Sequence, residues 1–218
     1  APAVSEDLAY NGLDPADVPV INADDEKAGI SVTPTSGLVT TEAGGTATFS
    51  VFLNRPPAAD VVVGLSSSNL AEGTVSPATL TFTAADWNTP KTVTVTGVDD
   101  ARQDNDITYA IMTSPATSTD PAYQGLNPAD VSVVNLNNDT AGYVWNYNLP
   151  LMVVEGTSIT YSLALGTQPD SNVVINITSG NTNAGRVSPA SLTFTSTDWS
   201  TPKVITLTGV DNLVPNAN

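Results

Sequence analysis

Cysteine and histidine are both absent from this chain. Their absence removes disulfide staples, thiol chemistry, imidazole bases and the usual zinc ligands. Basic residues are scarce, with 6 Lys and Arg against 22 Asp and Glu for a formal net charge of -16. Such a charge repels nucleic-acid phosphates and anionic membranes, and it invites divalent cations as partners. No run of 18 apolar residues occurs, so no direct membrane insertion is expected. The Ser and Thr hydroxyls have no His to activate them as nucleophiles. The acidic groups fall in turns rather than in a cleft lined by apolar and aromatic groups, which argues against glycoside hydrolysis. The expectation is a structural or binding module with no catalytic residue, not an enzyme.

What is present is repetition. Residues 75–99, VSPATLTFTAADWNTPKTVTVTGVD, return at 187–211 as VSPASLTFTSTDWSTPKVITLTGVD, and residues 9–18, AYNGLDPADV, return at 122–131 as AYQGLNPADV. The period of about 112 residues is that of one domain, so the chain reads as an array. Residues 1–27 are expected to be the C-terminal strand and tail of a preceding or donated repeat. A complete repeat then occupies 28–141, and a second repeat lacking its last two strands occupies 142–218. A chain that opens on Ala1 rather than Met is expected to be processed or to be a window into something longer.

Within the first whole unit, Ala47, Phe49, Val51 and Leu53 alternate with Thr46, Thr48, Ser50 and Phe52. That is the period-two pattern of a strand burying one face. Val61, Val63 and Leu65 repeat it, followed by Leu80 and Phe82, Val93 and Val95, Ile107 to Ile111, and Val131 and Val133. With the opening strand around Ile30 and Val32, about seven short strands separated by Gly, Pro, Asn and Asp turns predict an all-β, immunoglobulin-like sandwich. No segment offers helical spacing over three turns.

Alternating strand direction gathers particular turns at one pole: Glu42, Glu72, Asp99 and Asp100 with Asp104 and Asp106, and the run Asn137, Asn138 and Asp139. Converging carboxylates repel one another unless a hard cation with six to eight oxygen ligands neutralises them. Calcium suits turns that offer carboxylate, amide and backbone oxygens without octahedral geometry. The competing reading is that Asp and Asn are simply good turn formers. In the second unit the corresponding places hold Glu155, Asp211 and Asn212; Asp24, Asp25 and Glu26 hold them in the preceding one. The junction near 139–142 is short, and loops around Asp170 and Asp198 are expected to approach it.

These motifs resemble the Calx-beta-like sandwich repeats of large bacterial surface and adhesion proteins. The marks are TEAGG at 41–45 and VEGT at 154–157, GVDD at 97–100 and GVDN at 209–212, and NLNNDTAG at 135–142. The resemblance implies calcium ligation by Glu42, Asp99, Asp100, Asp106 and Asp139, with Asn137 in the domain-end run, and by Glu155 and Asp211 in the second unit. Arg102 and Gln103 stand where that family usually places a further acidic residue, which implies fewer charged ligands and weaker binding. It also implies a secreted or cell-surface, extracellular location.

The aromatics carry the remaining signals. Trp87 and Trp199 precede a strand in a repeated Asp-Trp motif and are expected to cap the core or pack on a neighbouring unit. Tyr143, Trp145 and Tyr147 replace Ile30, Val32 and Pro34 and are expected to pack across an interface. The alternative is a carbohydrate-binding adhesive module that holds a surface glycan through exposed aromatics such as Trp145. The partners expected are neighbouring repeats, or copies of the chain itself assembling head to tail by strand donation.

Overall fold

The computed structural model describes residues 1–23, 25–147 and 150–211. Every regular element among them is a strand, and no helix is long and apolar enough to cross a membrane. Residues 28–141 carry nine strands: β1 (Ile30–Thr33), β2 (Leu38–Thr41), β3 (Thr46–Leu53), β4 (Val61–Ser67), β5 (Gly73–Ser76), β6 (Thr79–Phe82), β7 (Lys91–Gly97), β8 (Ile107–Thr113) and β9 (Val131–Leu136). They form a four-stranded sheet in the order β1-β3-β7-β5 and a five-stranded sheet in the order β2-β9-β8-β4-β6. All pairings are antiparallel except β2 with β9.

The alternating residues make the core. Phe49, Val51, Leu53, Val61, Val63, Phe82, Val93, Val95, Ile111, Val131 and Val133 are buried between the sheets. Each such side chain contributes roughly 1.5–3 kcal/mol by leaving water. One strand break and one strand not expected, β5, separate the count of nine from the expected seven. Thr33-Pro34 and Gly37, with φ +77°, divide the opening strand into β1 and β2, and each half joins a different sheet. In the same way Pro77 separates β5, which pairs with β7, from β6, which pairs with β4.

The Asp-Trp motif is a corner that locks β7 to β3. Trp87 packs half-buried on the core, and its carbonyl accepts from the Leu53 amide at 2.8 Å. Asp86 accepts from the Thr83 amide at 2.7 Å and forms an ion pair with Lys91 at 2.6 Å. The Lys91 ammonium lies 5.1 Å from the Phe82 ring centre. Thr195, Asp198, Lys203 and Phe194 reproduce the arrangement in the second unit, where Trp199 packs on its own core.

The second unit contains β10 (Tyr143–Trp145), β11 (Ser158–Leu165), β12 (Val173–Asn176), β13 (Gly185–Ser188), β14 (Ser191–Phe194) and β15 (Lys203–Gly209). One sheet is complete in the order β10-β11-β15-β13; facing it, among the described residues, stands only the pair β12-β14. Its core is correspondingly small: Leu163, Leu165, Leu192, Phe194 and Ile205. Residues 1–23 lie outside both sandwiches. Val18, Val20 and Ile21, expected within the C-terminal strand and tail of residues 1–27, form no strand pairing among the described residues and are exposed.

Candidate metal centre

Four turns of the first unit meet at the pole where it joins the second. The β2–β3 turn presents Glu42, the loop before β5 presents Glu72, the β7–β8 loop carries Asp99 to Asp106, and the segment after β9 carries Asn137 to Asp139. Glu72 and Glu42 are 5% and 3% exposed, which is rare for carboxylates. Backbone and amide donors hold them in place. The Asn138 amide donates to Glu42 at 2.7 Å, and the Asn135 side-chain amide donates to Glu72 at 3.3 Å. Asn135 is itself buried and also accepts from Thr40 Oγ1 at 3.0 Å.

Carboxylate oxygens of Glu72, Asp100 and Asp104 all lie within 4.8 Å of one another. Glu42 and Asp139 belong to the same electrostatic group. Burial raises the pKa of Glu42 above the ordinary carboxylate value, and the charges of Asp100, Asp104 and Asp139 raise it further against the opposing Asn138 hydrogen bond. Burial likewise raises Asp139, followed by repulsion from Asp99, Asp100 and Asp104. Asp99 is tied in through its bond from the Asn138 side-chain amide at 3.2 Å. One oxygen of Asp104 and one of Asp139 are buried without a hydrogen-bond partner. Buried acceptors in native proteins are nearly always satisfied, so two such oxygens within one acidic group suit a bound cation. The donor set is all carboxylate oxygen, which suits a hard divalent cation.

The expected ligands separate into two groups. Glu42, Asp99, Asp100 and Asp139 come together, with Glu72 and Asp104, which the resemblance did not assign. Asp106 and Asn137 instead hold loops: Asp106 accepts from the Asn137 amide at 3.1 Å, and Asn137 Oδ1 accepts from the Asp139 amide at 2.7 Å. Strand alternation placed Glu72 at this pole, but its burial and its bond from Asn135, 63 residues away in sequence, leave no trace in the spacing.

In the second unit Glu155 sits beside Gly209, as a parallel bridge, and Asp211 follows two residues on. Both are exposed. The Val210 amide donates to Ala184 as the Val98 amide donates to Glu72, so Ala184 holds the place of Glu72. Asn212 and Asp24 lie outside the described residues. The second unit therefore lacks the most buried carboxylate of the triad.

Ala101 and Arg102 bind the neighbouring unit, and Gln103 holds the end of its own. Arg102 forms an ion pair with Asp170 at 3.1 Å and donates to Gln168 at 3.3 Å. The Gln168 amide donates to the Ala101 carbonyl at 2.7 Å, and Gln103 accepts from the Ala141 amide at 2.9 Å. Asp170 thus reaches the junction as expected, whereas Asp198 is engaged within its own unit by Thr195 and Lys203.

No protein-family model matches the chain, and no curated protein matches it at the threshold applied. Among solved structures it is similar to the apo form of the Calx CBD1 domain, with 14% identity, TM-score 0.41, covering 52% of this chain and all of that one. It is also similar to CBD12 from CALX1.2, with 14% identity, TM-score 0.40, 85% of this chain and 76% of that one. The chaperone DraB of E. coli matches at 10% identity and TM-score 0.38, over 83% and 87%. What these share with the chain is a generic immunoglobulin-like sandwich.

Proposed function

We propose that this chain is a structural segment of an extracellular bacterial fibre, stalk or adhesin. In this reading it consists of tandem Calx-beta-like sandwiches stiffened by calcium at the junction between units. The observation that carries the reading is the group of Glu42, Glu72, Asp99, Asp100, Asp104 and Asp139, with two buried oxygens lacking partners, next to the loop that grips the second unit. A cation held there ties the β7–β8 loop to the end of β9. Those are the segments whose neighbours Ala101 to Gln103 contact residues 141, 168 and 170. Glu155 and Asp211 supply a weaker site in the second unit. The work done is mechanical, spanning distance and presenting whatever lies beyond, with neighbouring repeats or other copies as partners.

Small-angle scattering in calcium and in chelator tests the reading. Calcium should narrow the distribution of inter-unit distances; identical profiles in both would refute it. The glycan-binding alternative rests on Trp145, which is 44% exposed. Its ring, however, meets Tyr147 edge-on at 76° and Tyr143 at 59°, so the group offers no flat platform for sugar stacking.

A further inference from the structure

In the first unit the inner face of β3 is sealed by the five-stranded sheet, and Phe49 is 2% exposed. In the second unit β11 has only β12 and β14 facing it among the described residues. The inner-facing positions there hold Tyr143, Trp145 and Tyr147 in place of Ile30, Val32 and Pro34, with Tyr161 in place of Phe49. Their rings touch, at centroid distances of 5.3–6.3 Å, yet Tyr143 is 57% exposed. Residues 151–154 match β2 but form no strand. An apolar face of this kind in water is an interaction surface.

The segment with the complementary form is in the same chain. Residues 1–23 align with 114–136 and already hold the same loop. The Ala3 amide donates to Leu13 and the Gly12 amide to Ala3, as the Ala116 amide donates to Leu126 and the Gly125 amide to Ala116, all at 2.8 Å. In the first unit this loop and β9 are docked, with Tyr123, Val131 and Val133 fully buried. Their counterparts Tyr10, Val18 and Val20 are 62%, 82% and 86% exposed.

We infer that residues 1–23 of one copy dock on the open inner face of the second unit of another copy, as residues 114–136 dock on the first. This deepens the head-to-tail part of the proposed function but needs no metal. The register follows from β2 and β9, where Leu38 faces Val133, Val39 faces Val134 and Thr40 faces Asn135 in parallel. Leu151 then faces Val20, Met152 faces Ile21 and Val153 faces Asn22. Val18 and Val20 point inward over the aromatic group, and Ile21 points outward. The four large rings supply volume beneath the docked segment. The contact joins two different surfaces, so it propagates into open-ended chains rather than closing a pair.

The test uses the full chain, which has no native cysteine. Ile21→Cys in one preparation and Met152→Cys in another, mixed under mild oxidation, should give a disulfide-linked heterodimer. Pairing Ile21→Cys with Val153→Cys should give several-fold less, because the side chain then points to the other face. Sedimentation velocity should show association that grows with concentration and is lost in V18D/V20D, whose melting temperature matches the wild type at dilutions where both are monomeric, because within one chain both valines lie outside the two sandwiches. A chain that stays monomeric throughout overturns the inference, as does association that survives V18D/V20D, which would assign the open face to another occupant. Both results leave calcium binding, measured in the same samples, free to succeed or fail by itself.

Discussion

The replacement Asp104→Asn should reverse its effect on stability according to whether calcium is present. Its ligand oxygen lies within 4.8 Å of those of Glu72 and Asp100. Two unit charges at that spacing repel by about 3.5 kcal/mol at an effective dielectric of about 20. Water around partly exposed groups reduces this to about 1 kcal/mol per pair. In chelator, D104N therefore stabilises the first unit by about 1–2 kcal/mol, which raises its Tm by roughly 4–10 °C for a domain of about 110 residues. In calcium the order inverts. A site with Kd near about 10⁻⁴ M contributes about 2.7 kcal/mol at roughly 10 mM calcium. D104N should forfeit most of that, because it removes a charged ligand. Thermal melts of both proteins in EDTA and in calcium check the crossing. A variant whose Tm falls equally in both buffers, or a wild-type Tm that ignores calcium, would refute the reasoning.

Other expectations follow from the same structure. Phe49→Ala should cost about 3–5 kcal/mol in chemical denaturation, since it empties the centre of the first core. Gly97→Ala should destabilise the first unit and weaken calcium binding together. Its Cβ would come within 2.2 Å of the Thr41 carbonyl and 2.5 Å of the Asn135 side chain that holds Glu72. Asp86 and Asp198 are held down to about 2 by their lysine bonds, chiefly Lys91 and Lys203. A depressed acid pKa stabilises the fold above the ordinary carboxylate range, near about 4, and this stabilisation is lost as pH falls toward 2. The double variant Asp86→Asn with Asp198→Asn should therefore show a shallower loss of stability between these pH values in acid titrations.

The strand faces were legible because burial leaves a period-two trace, and residues such as Phe49, Val51, Val93 and Val95 lie where alternation put them. Strand β5 was not, because Gly73–Ser76 offers a single large apolar residue, Val75, and so no alternation to read. At the acidic pole, strand alternation alone brought together the right turns. It did not rank the ligands within them. Glu72 is singled out by burial and by Asn135, and Asp106 by its use as a cap for the Asn137 amide, and both depend on packing between distant segments. Of Arg102 and Gln103, read from the family resemblance as lost ligands, Arg102 contacts the next unit and Gln103 holds Ala141 at the end of the first.

Calcium binding at the junction rests on one position in space. Crystals of the chain grown in calcium, with anomalous scattering recorded, should show a peak bounded by the carboxylates of Glu72, Asp100 and Asp104, with oxygen distances of about 2.3–2.6 Å. A map with these side chains turned away from one another and no peak among them would contradict it.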